Sequence, residues 1–304
     1  MKVLKWIGIS LFILMFLVVG AVLVLHWQNH SEKYNLSDEL RAQAPGQFVS
    51  LTHGHTHYRI TLPAGQQSLQ PGPVVVLVHG FSIPMEVWGD MPEALAQAGF
   101  QVLQYDLYGR GYSDKPERAY NGQFFETQLI ELLDALEIEQ PVSLAGLSMG
   151  GAITARVAAN NPERVNKVAF VAPLHQPFPV PPMPQGIGYY MMSAFYVPGL
   201  RGGLIDEAIP QRHSEAMLNA YDAQQSHRGF TKALTSSLYH FTTENHPGNY
   251  RRVGELGIPA MLIWGTDDKV VPFSGHEAVQ SDLPIDPFVV VEGADHTPHL
   301  EQPQ

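Results

Sequence analysis

The chain has 304 residues, no cysteine and a formal net charge of −11 at pH 7. That length accommodates one large α/β domain with an insertion or two small domains. The missing cysteines exclude disulfides, thiol catalysis and Cys-ligated zinc, and an acidic balance with no basic stripe argues against nucleic acid and against a polybasic grip on lipid.

Lys2 and Lys5 precede Trp6–Leu25, 20 residues without a charge. At about 1.5 Å per residue this run spans a hydrocarbon layer of about 30 Å. Trp6 and Trp27 flank it as interfacial aromatics do. The run is longer than a signal-peptide core and ends without an A-x-A site, so an uncleaved single-pass anchor is expected. Secretion after signal cleavage is the alternative. The lysines before the span leave the N-terminus in the cytoplasm and the rest of the chain across the membrane. Residues 31–46 read as a tether or a short surface helix.

Phe48–Thr52 and His57–Leu62 read as two strands around a turn at Gly54. His53, His55 and His57 alternate there, which is either a metal face or a polar hairpin tip, and the absence of nearby acids favours the tip. No metal and no cofactor are expected. Val74–Val78 is a continuous apolar run, as a buried parallel strand is, and ends in His79-Gly80-Phe81. Met85–Gly99 has helical spacing, Gln101–Tyr105 is the next strand, and Phe124–Leu136 is an amphipathic helix. Val142–Leu147 is a strand, Gly150–Asn160 a helix, and Val165–Val171 a strand. Strands alternating with helices imply right-handed crossovers and a mostly parallel sheet with helices on both faces.

The alternation breaks between residues 172 and 252, too long a stretch for a loop. Pro177, Pro179, Pro181, Pro182 and Pro184 precede an apolar stretch, Ile187–Leu200, and helical spacing recurs near Glu215–Gln225 and Phe230–Phe241. This is an inserted, mostly helical cap, whose Met and aromatic residues either line a pocket or form the cap's own core. The pattern resumes with a strand at Pro259–Trp264, a helix at Ser274–Gln280 and a last strand at Pro287–Val291. The expected organisation is an anchor at 1–30, a tether at 31–46, a core at 47–171 and 253–304, and a cap at 172–252.

Gly146-Leu147-Ser148-Met149-Gly150 lies between a strand and a helix, the context of a nucleophile elbow. An Asp after a later strand and a His after the last one follow in chain order, as in a Ser-Asp-His hydrolase triad. From Phe48 onward the chain resembles the α/β-hydrolase family. Four stretches carry the resemblance: His79-Gly80-Phe81 with Trp88; Asp106-x-x-Gly109-x-Gly111-x-Ser113; Gly146–Gly151; and Trp264-Gly265-x-x-Asp268 with His296-x-x-x-x-Glu301-x-Pro303.

Chemistry and resemblance give the same roles. Ser148 attacks a carbonyl, His296 carries the proton, and an acid orients the histidine. The backbone N–H groups of Phe81 and Met149 form the oxyanion hole. Asp267 and Asp268 compete for the acid's place, and the family's spacing after Trp-Gly favours Asp268. His299 competes with His296, but Glu301 fits the family's spacing only from His296. His79, Asp106 and Ser113 are expected to be structural.

The chain departs from the family in two places. Asp295 stands where a small residue is usual, and the family's final helix after the histidine is missing or the sequence is truncated. The resemblance implies a carboxylic ester hydrolase acting on a small-molecule ester or lipid, as in membrane-anchored members similar to monoacylglycerol lipases. A lactonase or carbon–carbon bond hydrolase is the alternative. Gly-Leu-Ser-Met-Gly-Gly resembles enol-lactone hydrolases, whereas carbon–carbon hydrolases commonly have Asn where Leu147 stands. Of another class is a non-catalytic binding protein on the same scaffold.

Overall fold

The computed structural model describes residues 2–180, 182–204 and 208–303. Pro181, one of the five prolines ahead of the apolar stretch, lies outside them, as do Met1, residues 205–207, Gln304 and the side chains of Lys2 and Val3.

Eight strands form one sheet: β1 (Gln47–Leu51), β2 (Gly54–Thr61), β3 (Val74–Val78), β4 (Gln101–Tyr105), β5 (Val142–Leu147), β6 (Val165–Val171), β7 (Ala260–Gly265) and β8 (Phe288–Val291). Their order is β1-β2-β4-β3-β5-β6-β7-β8. The β1–β2 and β2–β4 pairs are antiparallel and the rest are parallel. Strand side chains alternate between faces. Val76 and Val78 of β3 thus join one buried cluster with Leu103, Leu144 and Phe170. Val75 and Leu77 join a second with Trp88, Val171 and Leu300.

The chain leaves β3 for β4 on one side and returns to β5 on the other. The carboxyl ends of β3 and β5 therefore flank a topological switch point, where an open α/β sheet offers a crevice. The loop after β3 and the turn after β5 meet there.

The first helix, α1 (Lys2–Asn29), is followed by α2 (Asp38–Gln43), α3 (Met91–Gln97), α4 (Gly122–Ala135) and α5 (Met149–Asn160). The expected helix at 85–99 is broken: Met85–Trp88 forms a 3₁₀ turn, and Gly89 with φ of 50° separates it from α3. Asn121 caps α4 by accepting from the Phe124 amide at 2.9 Å, a contact typically contributing about 1 kcal/mol. The small residues of α5, Gly150, Gly151, Ala152 and Ala155, let that helix lie close over β3, β5 and β6.

Between β6 and β7 lie α6 (Gln185–Met191), a π-helical segment Met192–Tyr196, α7 (Val197–Leu200), a 3₁₀ turn Gly202–Leu204, α8 (Gln211–Gln225), α9 (Phe230–His240) and α10 (Pro247–Glu255). This helical insertion has its own small core of Met192, Val197, Leu204, Tyr221, Phe230 and Leu234. The sequence pattern does not mark α10, a polar helix whose buried face is Pro247, Tyr250 and Val253. The last helices are α11 (Gly275–Asp282) and α12 (Pro298–Glu301), the latter directly after His296.

Among the described residues one helix, Leu4–Asn29, is long and apolar enough to cross a membrane or to act as a signal sequence. Past it the chain is bonded to the insertion: the Lys33 and Tyr34 amides donate to the Ser226 carbonyl at 2.7 and 3.0 Å. Glu32 accepts from the Gly229 and Thr231 amides at 2.7 and 2.8 Å, at the start of α9, where the helix dipole favours an anion.

Candidate active site

Ser148 stands between β5 and α5 with φ of 54° and ψ of −118°. A non-glycine residue seldom adopts this conformation, which costs of order 1–3 kcal/mol and persists only when its surroundings fix it. They do so here: the Ser148 amide donates to the Val171 carbonyl at 2.9 Å, and the Ser148 carbonyl accepts from Gly151 and Leu174, both at 2.9 Å. A side chain on Gly150 would collide with the Val78 and His79 carbonyls, and one on Gly146 with the Gly150 backbone. The tight turn thus requires both glycines of the motif.

His296 Nδ1 meets Asp268 Oδ2 at 2.8 Å. The Asp268 side chain is fully buried, and its other oxygen accepts from the Val270 and Val271 amides at 2.8 Å each. Three donors therefore hold the acid. Asp267, its neighbour, is exposed and accepts only from Thr266 Oγ1, at 3.2 Å, among the described residues. His296 Nε2 has no hydrogen-bond partner among the described residues. His299 lies elsewhere: its Nε2 donates to the Val87 carbonyl at 2.9 Å, its ring packs on Trp88, and burial lowers its pKa to about 4.

His79-Gly80-Phe81 runs beside the serine. A methyl built on Gly80 would stand 3.4 Å from Ser148 Cβ and 3.9 Å from Oγ. His79 is buried, accepts at Nε2 from the Leu107 amide and donates from Nδ1 to the Gly80 carbonyl, both at 2.9 Å. Burial depresses its pKa to about 4, so the ring is neutral and this tautomer is kept. In a trans peptide C=O and N–H point in opposite directions; fixing the Gly80 carbonyl therefore aims the Phe81 N–H. Arg110 completes the clamp, donating from Nε to the Phe81 carbonyl at 2.9 Å. Neither the Phe81 nor the Met149 amide has an acceptor among the described residues.

The loop that presents Arg110 is fixed by Asp106, which accepts from the Met85 and Tyr112 amides and from His57 Nδ1. Burial raises the Asp106 pKa, but His57, His79 and the Tyr112 amide outweigh it and hold the carboxyl well below the usual range. Ser113 donates to the Asp106 carbonyl at 2.6 Å. The three alternating histidines have separate partners: His53 meets Arg118, His55 meets Asp114, and His57 joins Asp106 to the Pro45 carbonyl. Across the cleft, Gln224 of α8 donates to the Ser82 carbonyl at 2.6 Å and accepts from Gly111 at 2.8 Å, keying the insertion to both loops.

Ser148 and His296 open into one cavity of about 520 Å³. Its remaining walls are mostly apolar, with Phe81, Leu147, Phe195, Tyr196, Leu200 and Met217 among them. A larger cavity of about 920 Å³, between α9 and the stretch after α1, contains neither Ser148 nor His296. The volume beside the serine, not the greater one, is where a reacting group would sit.

Two groups at this site escape a reading of the sequence. Arg110 stands in an unspecified position of its motif, and only its buried side chain links it to the oxyanion loop. Glu301 accepts from the Asp295 amide at 2.5 Å and from the Thr297 amide and hydroxyl, each at 3.0 Å, so it grips the residues on both sides of His296. The family spacing singles out Glu301 without giving it a role. Asp295, the residue out of pattern, turns to Lys269: the Lys269 amide and ammonium donate to it at 2.9 and 2.7 Å. Burial raises the Asp295 pKa, and the Lys269 contacts more than offset this, so it is net lowered.

The profile of a family described as serine aminopeptidase, S33, matches residues 70–303. The chain belongs to this family of α/β-hydrolases. A 2-hydroxy-6-oxononadienedioate/2-hydroxy-6-oxononatrienedioate hydrolase of Cupriavidus pinatubonensis is 29% identical over 249 residues, covering 74% of this chain and 80% of the relative. Among solved structures, the enol-lactonase of Burkholderia xenovorans superposes with a TM-score of 0.66 at 20% identity, over 84% of this chain and 93% of the other. An esterase of Exiguobacterium antarcticum gives 0.69 at 17% identity, over 84% and 94%. At these identities the two structures establish the fold alone. The hydrolase family and the fold are those the sequence motifs imply.

Proposed function

We propose that the protein is a membrane-anchored serine hydrolase that cleaves carboxylic esters with apolar, lipid-like acyl groups. The observation that carries this reading is that Ser148 and His296, the latter bonded to the buried Asp268, open into one mostly apolar cavity. In this reading His296 Nε2 takes the Ser148 proton as Oγ attacks the ester carbonyl. The Phe81 and Met149 amides receive the oxyanion, and Asp268 stabilises the imidazolium. The alcohol leaves with the proton from His296, and water then hydrolyses the acyl-enzyme by the same route. The division into anchor, tether, core and cap belongs to the same proposal, with residues 172–252 covering the acyl site and the core on the non-cytoplasmic side.

The cavity's charges favour an ester over the other reactions that relatives suggest. The C. pinatubonensis relative is named for a dioate. Lys269, the cavity's basic side chain among the described lining residues, is ion-paired with Asp295, which disfavours a substrate with two carboxylates. An aminopeptidase requires an acid for the substrate's ammonium. Among the described lining residues the carboxylates are Asp295, which is paired with Lys269, and Glu301, which already accepts three hydrogen bonds.

The test is a series of monoacylglycerols and simple esters of rising chain length, with lactones and ring-cleavage dienoates alongside, on the full chain and on Ser148→Ala. The expected result is a kcat/KM that rises with acyl length and vanishes in the variant. Preference for lactones or dienoates would overturn the ester assignment.

A further inference from the structure

Residues 172–200, 29 in all, carry no Asp, Glu, Lys or Arg. This segment supplies the helical run from α6 through the π-helical segment to α7. Five large apolar or aromatic side chains on that run are exposed: Ile187 (54%), Tyr190 (40%), Met191 (37%), Phe195 (49%) and Tyr196 (47%). A contiguous apolar face of this kind on a soluble protein marks a surface that something else covers.

What covers it follows from where α1 ends. The last turns of α1 pack on the same run. His26 Nδ1 is 2.8 Å from Ser193 Oγ, Asn29 donates to the Ala194 carbonyl at 2.8 Å, and the His26 ring sits edge-on to Tyr189 and Tyr190. Val22 and Leu25, still inside the uncharged span, are half-buried, while Leu23 and Val24 between them are exposed. The insertion therefore holds α1 at the end of its apolar length and in the turn just past it. Trp27, 80% exposed, is at the same level, where interfacial aromatics sit. A helix surface touching α1 at that depth faces the boundary between headgroups and acyl chains.

Phe195 and Tyr196 have two roles in this arrangement. They are about half exposed, and they line the cavity over Ser148.

We propose that the exposed face of Gln185–Leu200 lies in the lipid surface beside α1, and that acyl chains pass from the bilayer to Ser148 between Phe195 and Tyr196. The proposal rests on the anchor and the ester reading given above, and adds to them the orientation of the domain and the side from which substrate enters. With no charged residue in the segment, attachment of this face is by apolar burial and does not require anionic lipid.

The absence of cysteine makes the test direct, because single cysteines can be labelled in the full chain. Ile187→Cys and Met191→Cys would carry an environment-sensitive fluorophore. Glu163→Cys, exposed ahead of β6 at the opposite end of the sheet from Ser148, is the control. Each protein is reconstituted in phosphatidylcholine vesicles containing a brominated phosphatidylcholine. The expected result is a blue-shifted, bromine-quenched label at 187 and 191 and an unquenched one at 163. If the chain floats with vesicles but 187 and 191 are quenched no more than 163, the lipid-facing surface is wrong and the anchor stands. If the chain does not float, the anchor reading fails and takes this proposal with it.

A second arm reads substrate entry. Ile187→Glu combined with Met191→Glu should lower hydrolysis of a long-chain monoacylglycerol held in vesicles by roughly tenfold, the scale expected when two apolar side chains no longer enter lipid. A short water-soluble ester should be cleaved at the unchanged rate. Equal effects on both substrates would overturn the entry route. If neither substrate is cleaved by the wild-type chain, the ester reading fails, while quenching still decides the lipid contact.

Discussion

Below the cavity, the proposed reacting groups are fixed by polar contacts to the backbone. Asp268 has three donors, the Gly80 and Phe81 carbonyls are held by His79 and Arg110, and the segment around His296 hangs on Glu301. Above it, the run Gln185–Leu200 faces the cavity with Phe195, Tyr196, Gly199 and Leu200. Polar contacts hold the insertion at its margins, Gln224 to Ser82 and Gly111, Ser236 to Tyr120 and Arg118, and Glu244 to Gly122 and Arg156, while the side it turns to the cavity is apolar. Directional bonds fix a geometry to tenths of an ångström, whereas apolar packing fixes only volume and shape. Floor and roof thus divide the work: reaction type is set below, and choice of acyl group above.

The division predicts that polar changes in the floor lower turnover for all substrates. Asp268→Asn should lower kcat by about 10⁴, as loss of an orienting triad acid does, with Asp267→Asn within about twofold of wild type. Initial rates on one ester decide it; equal effects at the two positions would break the assignment. Glu301→Gln should cost about tenfold in kcat with KM unchanged, because Glu301 borders the cavity but its oxygens are spent on the backbone and hydroxyl groups of the His296 loop. A rise in KM alone would move Glu301 into substrate binding.

In the roof, Phe195→Ala should change selectivity rather than turnover. We expect the ratio of kcat/KM for long over short acyl chains to fall by roughly tenfold, the scale of trimming one apolar wall of a binding pocket. A uniform loss across chain lengths would erase the distinction between the two walls.

The smallest effect is common to both. His79 and His299 in the core and His227 in the insertion are buried, and burial lowers each pKa to about 4, aided at His227 by Lys115. Each is neutral when folded and takes up a proton near pH 6.5 when unfolded. The unfolded state therefore binds more protons between pH 6.5 and 4, and stability falls as pH drops through that window. Each histidine contributes at most about 1.4 kcal/mol per pH unit. Urea midpoints at pH 7 and pH 5 measure it; a midpoint higher at pH 5 would show these rings charged in the fold.

The floor was legible because its parts must stand at fixed places in the chain. Gly146 and Gly150 are demanded by the turn at Ser148, and Asp268 and His296 follow strands whose apolar runs are plain. Arg110 and Glu301 were not, because they act on backbone atoms, which carry no residue signature at the receiving end. The broken helix at Met85–Gln97 turns on Gly89 and its positive φ, which looks like ordinary helical spacing in the sequence. In the roof, the π-helical segment at Met192–Tyr196 has no pattern of its own, and α10 hides behind polar residues because only Pro247, Tyr250 and Val253 face inward. Whether a given Met or aromatic of the insertion serves a core or a pocket is open in the sequence: Met192 and Phe230 join the insertion's core, while Phe195 lines the cavity and Tyr196 does so beside it.

The central claim is that Ser148 is an activated nucleophile. Covalent labelling of the full chain with a fluorophosphonate tests it most directly. The account predicts one label per chain, on Ser148, lost in Ser148→Ala and slowed in Asp268→Asn. An unlabelled wild-type chain, or labelling that persists in Ser148→Ala, would contradict it and leave a binding protein on a hydrolase scaffold.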